Sequence, residues 1–155
     1  MISLKDRVTL ITGASRGLGR ATAEMFAQAG SHVIINYTAD EKAALEAKAS
    51  CERYGVRALT IQADVANKAA VDLMVDTPIH EFGRIDVAVN NAGVWLHNPI
   101  DDTTEERLRH TIDINLLGTF YVCMAVVPHM KRQRSGNIIN ISSTAGQRGE
   151  AFHSP

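Results

Sequence analysis

The chain has few cysteines, almost no net charge and no long apolar run, and each shortage narrows what it can be. Of its 155 residues only Cys51 and Cys123 are cysteines. They are far apart and lack metal-ligand spacing, so they make neither a disulfide framework nor a metal cage, and a reducing, cytoplasmic setting fits best. Cys123 falls in an apolar helical run and is expected in the core; Cys51 is expected part-exposed on a helix. Lys and Arg total 16 against 17 Asp and Glu, a net charge of -1. That balance implies no nucleic-acid partner and no anionic membrane surface. The short basic cluster His129-Met130-Lys131-Arg132-Gln133-Arg134 suits the C-terminal end of a helix dipole rather than a binding patch. No apolar run approaches the roughly 20 residues that cross a bilayer, so no membrane is implied. The first residues, Met1-Ile2-Ser3-Leu4-Lys5-Asp6-Arg7, lack the apolar core of a secretory signal. Composition, 45% hydrophobic and 21% charged, is that of one globular domain spanning residues 1–155.

What is there begins with Thr12-Gly13-Ala14-Ser15-Arg16-Gly17-Leu18-Gly19. This segment lies between an apolar run, Val8-Thr9-Leu10-Ile11, and a helical pattern starting at Arg20. A strand, a glycine turn and a helix in that order make a phosphate cradle. Glycines let backbone turn tightly and approach a diphosphate, and the helix N-terminus offers free N–H groups and a positive dipole end.

Short apolar runs then alternate with helical patterns. Strands are expected at 7–12, 32–36, 57–62, 85–89 and 137–141, and helices at 18–29, 40–53 and 68–82. Gly30, Gly55 and Gly83 stand where helix ends need them. Pro78 argues for a kink or an early break in the third helix. Residues 105–131 form a long helix, possible in two pieces. Its centre, Leu116 to Val127, is apolar nearly all round and is expected to be buried on several sides, part of it against another subunit or further chain. The strands are Val/Ile-rich without clean alternation, as strands covered on both faces are. The pattern gives an α/β doubly wound parallel sheet, with ligands bound at the carboxyl ends of its strands.

Further signals sit at those ends. Asn90-Asn91-Ala92-Gly93 follows strand 4 and reads as a turn close to a ligand, or as a plain Asn-rich turn. Asp64-Val65 follows strand 3; the Asp64 carboxylate accepts from an adenine amino group or caps the next helix. Asn115 interrupts an apolar helix, where a buried amide needs partners, local backbone among them. Ser142 and Ser143 follow strand 5, where a hydroxyl can donate to a substrate carbonyl. An acid about 20 residues after the glycine loop would hold a ribose 2′-OH. Here that place is Asn36-Tyr37-Thr38, while Arg16 in the loop can pair with a 2′-phosphate or simply face solvent. NADP(H) is therefore the expected cofactor, with NAD(H) the alternative; no metal is expected.

In these motifs, in order along nearly the whole chain, the sequence resembles the short-chain dehydrogenase/reductase family, most of all its 3-oxoacyl-carrier-protein reductase and glucose dehydrogenase type. The resemblance rests on Thr12 to Gly19, Asp64-Val65, Asn90 to Gly93, Asn115 and Asn140-Ile141-Ser142-Ser143. It implies a Rossmann-like sheet in the order 3-2-1-4-5, helices on both faces, incomplete after strand 5. It implies hydride transfer between a nicotinamide and a small carbonyl or alcohol substrate, in a homo-oligomer, dimer or tetramer. Ser143 takes the role of the carbonyl-orienting serine, standing three residues before Gly146, and Asn115 that of the proton relay. The cofactor residues it implies are Gly13, Ser15, Arg16, Gly17, Leu18, Gly19, Asn36, Tyr37, Asp64, Val65, Asn91, Ala92 and Gly93. The family's Tyr-x-x-x-Lys pair is missing: Glu41, Ala58 and Ala125 stand four residues after Tyr37, Tyr54 and Tyr121. The pair would fall just past Pro155. The expectation is an N-terminal portion of a longer enzyme, inactive alone, with strand 5 an uncovered apolar edge. The alternatives are a short form that keeps nucleotide binding or dimerisation, and a remnant that does not fold. The loop Val94 to Ile100 should border the substrate, with Trp95 as anchor or apolar contact and His97 an idle surface residue.

Overall fold

A computed structural model describes residues 3–96 and 99–149. Five strands form one sheet: β1 (Val8–Ile11), β2 (His32–Tyr37), β3 (Ala58–Gln62), β4 (Val87–Asn90) and β5 (Asn137–Asn140). Their order is β3-β2-β1-β4-β5 and every neighbouring pair is parallel, as the sequence implies. The glycine loop therefore leaves the central strand.

Helices cover both faces, and side-chain alternation shows how. Leu10, Ile34 and Ala88 point to a core shared with Val71, Met74, Val122 and Val126 of α3 (Lys68–Phe82) and α5 (Gly118–Gln133). Their neighbours Ile11, Val33, Ile35 and Val89 point the other way, onto Ala23, Ala27, Ala44 and Ala47 of α1 (Gly17–Gln28) and α2 (Glu41–Glu52). With both faces buried the strands must be apolar throughout, which removes the period of two.

Local chemistry fixes most helix ends. Asp40 caps α2 by accepting from Ala43 N at 2.9 Å, and Asn67 caps α3 by accepting from Ala70 N at 3.1 Å. Gly83 ends α3 in the left-handed region at φ 77°. The expected break at Pro78 does not occur: α3 runs on to Phe82 with Pro78 buried. One lost backbone bond is outweighed by packing on the sheet.

The long helical stretch divides as α4 (Glu105–Ile112), a π-helical turn (Asp113–Leu117) and α5. Only one face of α5 is buried, through Gly118, Val122, Val126 and Met130. Leu116, Phe120 and Met124 are 51%, 57% and 54% exposed, so the expected burial on several sides is not met within this chain. With Leu108 and Ile112 they make an apolar stripe at four-residue spacing. The stretch Glu105–Gln133 is long and apolar enough to cross a bilayer by length and composition, against expectation, yet its inner face packs on α3 and β4.

The cysteines also differ from expectation. Cys51 is fully buried on the α2 face that meets α1, and Cys123 is only half-buried. β5 is one edge of the sheet, as expected, with Ile139 in it and Ile141 just after it exposed. α6 (Thr144–Arg148) follows it.

Candidate functional site

Three strand ends are tied together by side chains. Thr12 is buried at the end of β1, where its hydroxyl accepts from Asn91 N at 3.0 Å and Ala92 N at 2.9 Å. Asn91 Nδ2 donates back to the carbonyls of Thr12 (2.8 Å) and Gly13 (3.2 Å). On the other side Asn36 Oδ1 accepts from Gly13 N (3.1 Å), while its Nδ2 donates to Ala63 O after β3 (2.9 Å). The turn after β1 is thus fixed to the turns after β4 and β3 before any ligand arrives.

The glycines follow from this geometry. Gly13 has φ 62°, and a Cβ on it would lie 3.1 Å from Ala92 Cα. A Cβ on Gly19 would lie 2.5 Å from both Asn91 Nδ2 and Gly13 O. Helix α1 starts with Arg16 as its cap residue, and among the described residues no side chain caps its first N–H groups. No acidic residue occupies its first turn either. Those donors and the positive end of the helix dipole are left for an anion.

A groove of about 440 Å³ opens over this turn. Gly13, Ser15, Arg16, Leu18 and Gly19 form its floor. Tyr37 through Asp40 border one end, and Asp64 with Val65 form the wall after β3. Asn91, Ala92, Gly93 and Val94 form the wall after β4. Two of the expected cofactor residues do not border it. Asn36 is 1% exposed, its amide fully engaged behind the loop, so it acts on the groove through Gly13. Gly17 starts α1 at φ 56°, and a Cβ added to it would meet no atom within 4 Å. Arg16 is exposed, and its guanidinium makes no ion pair among the described residues. The alternatives left open for Asp64 narrow: Asn67 caps α3, and Asp64 Oδ1 instead accepts from Ala66 N (2.9 Å).

Asn115 stands in the π-helical turn and is exposed rather than buried. Its Oδ1 accepts from Val94 N (2.8 Å) and its Nδ2 donates to Val94 O (2.9 Å). It clamps the loop after β4 and does not border the groove. Ser143 caps α6, its Oγ accepting from Ala145 N at 3.1 Å. It also lies outside the groove lining, although Ile141 N donates to Asn90 O (3.0 Å) and keeps the end of β5 beside that of β4. Tyr37 is buried, and desolvation with the nearby Glu41 carboxylate pushes its phenol above the usual value. It stays protonated near neutrality. Trp95 is 66% exposed; His97 lies outside the described residues.

Four groove residues escaped the sequence reading. Ala39 and Asp40 follow Thr38 and continue the border that Tyr37 begins. His110 on α4 lines the rim with Ile114. The signal for the last pair was their four-residue spacing from Gly118, legible only once Gly118 was known to face Val65.

A family model described as short chain dehydrogenase matches residues 7–155. A 3-oxoacyl-[acyl-carrier-protein] reductase of Synechocystis sp. is 42% identical over 149 residues, 96% of this chain and 60% of that protein. A 3beta-hydroxysteroid dehydrogenase 1 of Eggerthella lenta is 39% identical over 141 residues, 90% of this chain and 54% of that protein. The crystal structure of an NAD+-bound xylitol dehydrogenase superposes with a TM-score of 0.92 at 33% identity, covering 96% of this chain and 57% of that one. The chain thus spans little more than half the length of the curated relatives it matches.

Proposed function

Because the chain belongs to the short-chain dehydrogenase family, we propose that its groove holds a nicotinamide dinucleotide as the cofactor half of an oxidoreductase. The observation that carries this is the bare glycine turn over the uncapped start of α1, at the centre of the sheet. The residues fit the group: the glycine turn lines the groove floor beside the side chains of Ser15 and Arg16, and it can lie close against the turn after β4 because Gly19 has no Cβ to meet Asn91. When bound, the nicotinamide supplies hydride exchange with a carbonyl or alcohol carbon.

The chain's own residues then bind and orient. Backbone amides from Ser15 to Gly19 hold the diphosphate, and Asn91 keeps the turn in place. The Ser143 hydroxyl, with its hydrogen not engaged by Ala145, orients the substrate carbonyl. Asn115 holds the Val94 loop beside the site. No tyrosine here has a lysine four residues on. A phenol with an ordinary value near 10 is a poor proton carrier at neutral pH. The 155 residues therefore bind cofactor without turnover, and hydride transfer belongs to a longer polypeptide that supplies the proton partner.

We assign NADP(H) as the preferred cofactor. Arg16 at the groove floor makes no ion pair among the described residues, and the end of β2 carries Asn36, Tyr37 and Thr38 rather than an acid. Asp40 borders the same end, which makes NAD(H) the competing choice. A second copy of the chain covers the stripe from Leu108 to Met124, making a homo-oligomer. That stripe also favours a second reading, a dimer-forming nucleotide-binding module without catalysis.

Calorimetric titration of NADPH and NADH into the 155-residue chain tests the proposal. NADPH is expected to bind about tenfold or more tightly, an advantage lost in Arg16→Ala. Failure of both nucleotides to bind overturns the groove assignment; an NADH preference unchanged in Arg16→Ala overturns the cofactor choice.

A further inference from the structure

The rim of the groove carries a titratable group that neither the glycine loop nor the strand ends supply. His110 is in the last turn of α4, and Ile114 follows one turn later; both border the groove. One turn further, Gly118 packs so closely on Val65 that a Cβ would lie 2.8 Å from Val65 Cγ2. Four-residue spacing keeps Gly118, Ile114 and His110 on one face. That face runs along the wall after β3 and ends at His110. Among the described residues, His110 is the only histidine that borders the groove.

We propose that His110 is a cofactor-contacting residue of this chain and that its protonation strengthens binding of the anionic dinucleotide. This rests on the reading that the groove holds a dinucleotide. An imidazolium there adds a unit positive charge to a site built around a diphosphate. The other charged groups of the groove are Arg16 on the floor, Asp40 at the β2 end and Asp64 on the β3 wall, with the neutral Tyr37 phenol beside Asp40. Glu106 lies one turn earlier on α4 and, with Arg107, lines the hollow on the far side of His110, where Asp102 faces it. Glu105, Arg109 and Asp113 border His110 along the outer face of the helix. Carboxylates and guanidinium groups ordinarily titrate far from the pH 5.5–8 range, whereas imidazole titrates within it. Among the described residues that border the groove, His110 is the one that carries an imidazole.

The probe is ADP-ribose, which carries the diphosphate and has no group of its own titrating between pH 5.5 and 8. Its Kd is measured by calorimetry on the 155-residue chain at low ionic strength, for wild type and His110→Gln. The wild-type Kd is expected to fall about three- to tenfold from pH 8 to pH 5.5. His110→Gln should show no such trend, and 0.5 M salt should flatten that of the wild type, as expected for a screened, part-exposed charge. The His110 proton resonances should also move on adding ADP-ribose, which tests contact without any variant. Equal pH trends in both proteins, or His110 resonances that stay put while ADP-ribose binds, overturn the inference and leave the groove assignment standing. No binding by wild type at any pH overturns both.

Discussion

Asn91 Nδ2 occupies the space that a β-carbon on Gly19 would need, 2.5 Å from its ideal position. The amide has little freedom to retreat, because it donates to two carbonyls of the β1 turn. A methyl group at position 19 must push apart the two turns that make the groove.

Gly19→Ala is therefore expected to lower stability by about 1–3 kcal/mol, the usual cost of overpacking, and to weaken nucleotide binding. Gly17→Ala is the control. It meets no atom within 4 Å and bears only the strain of its φ of 56°, about 1–2 kcal/mol. Urea denaturation compares the two. A Gly19→Ala protein as stable as wild type would show that the turns separate freely.

The glycine loop was legible in the sequence because its signal is local: apolar strand, turn and helix within some dozen residues. What Gly19 and Asn91 do for each other was not, because they are brought together only by the pairing of β1 with β4. Asn36 shows the same limit. Its position at the end of β2 suggested a ribose contact, but parallel pairing on both sides buries it among backbone groups that take all of its amide.

At the opposite, amino ends of the strands, Asp86 is buried and should set the acid limit of stability. Burial works to raise its carboxyl, but hydrogen bonds from Arg84, Val8 N and Arg7 outweigh it and hold the group below its usual value. A folded value below the unfolded one stabilises above the ordinary carboxylate range and is lost as pH falls through the folded value. Asp86→Asn should lose about 2–4 kcal/mol at pH 7, since it leaves two arginines facing a neutral group. The loss should shrink when denaturation is repeated near pH 3. A loss that is the same at both pH values would show that charge plays no part.

Thiol chemistry separates the two cysteines. Burial, with the Glu24 carboxylate, pushes the Cys51 thiol up to about 11. The thiolate is the reactive form, so Cys51 should stay unlabelled by iodoacetamide at pH 7.5 in the folded chain and react only with unfolding. Cys123, half-buried, should label first. Mass mapping of the alkylated peptides reads the order; early labelling of Cys51 would contradict the packing of α2 on α1.

Phe120, 57% exposed at the middle of the apolar stripe, probes the proposed self-association. Wild type should sediment as a dimer or larger, and Phe120→Asp as a monomer that still binds nucleotide. Identical sedimentation of the two would remove a second copy as the partner of this face.

By itself the sequence determined the succession of strands and helices, the central place of the glycine turn and the family to which the chain belongs. Those follow from spacing and from residues close together in the chain. Tertiary structure alone decided which faces were left open, from the unmet side of α5 to the rim at His110, and it also reversed the expected exposure of Cys51. Periodicity marks a helix as apolar, but only its rotation against the sheet settles which of its residues meet the core and which meet the groove.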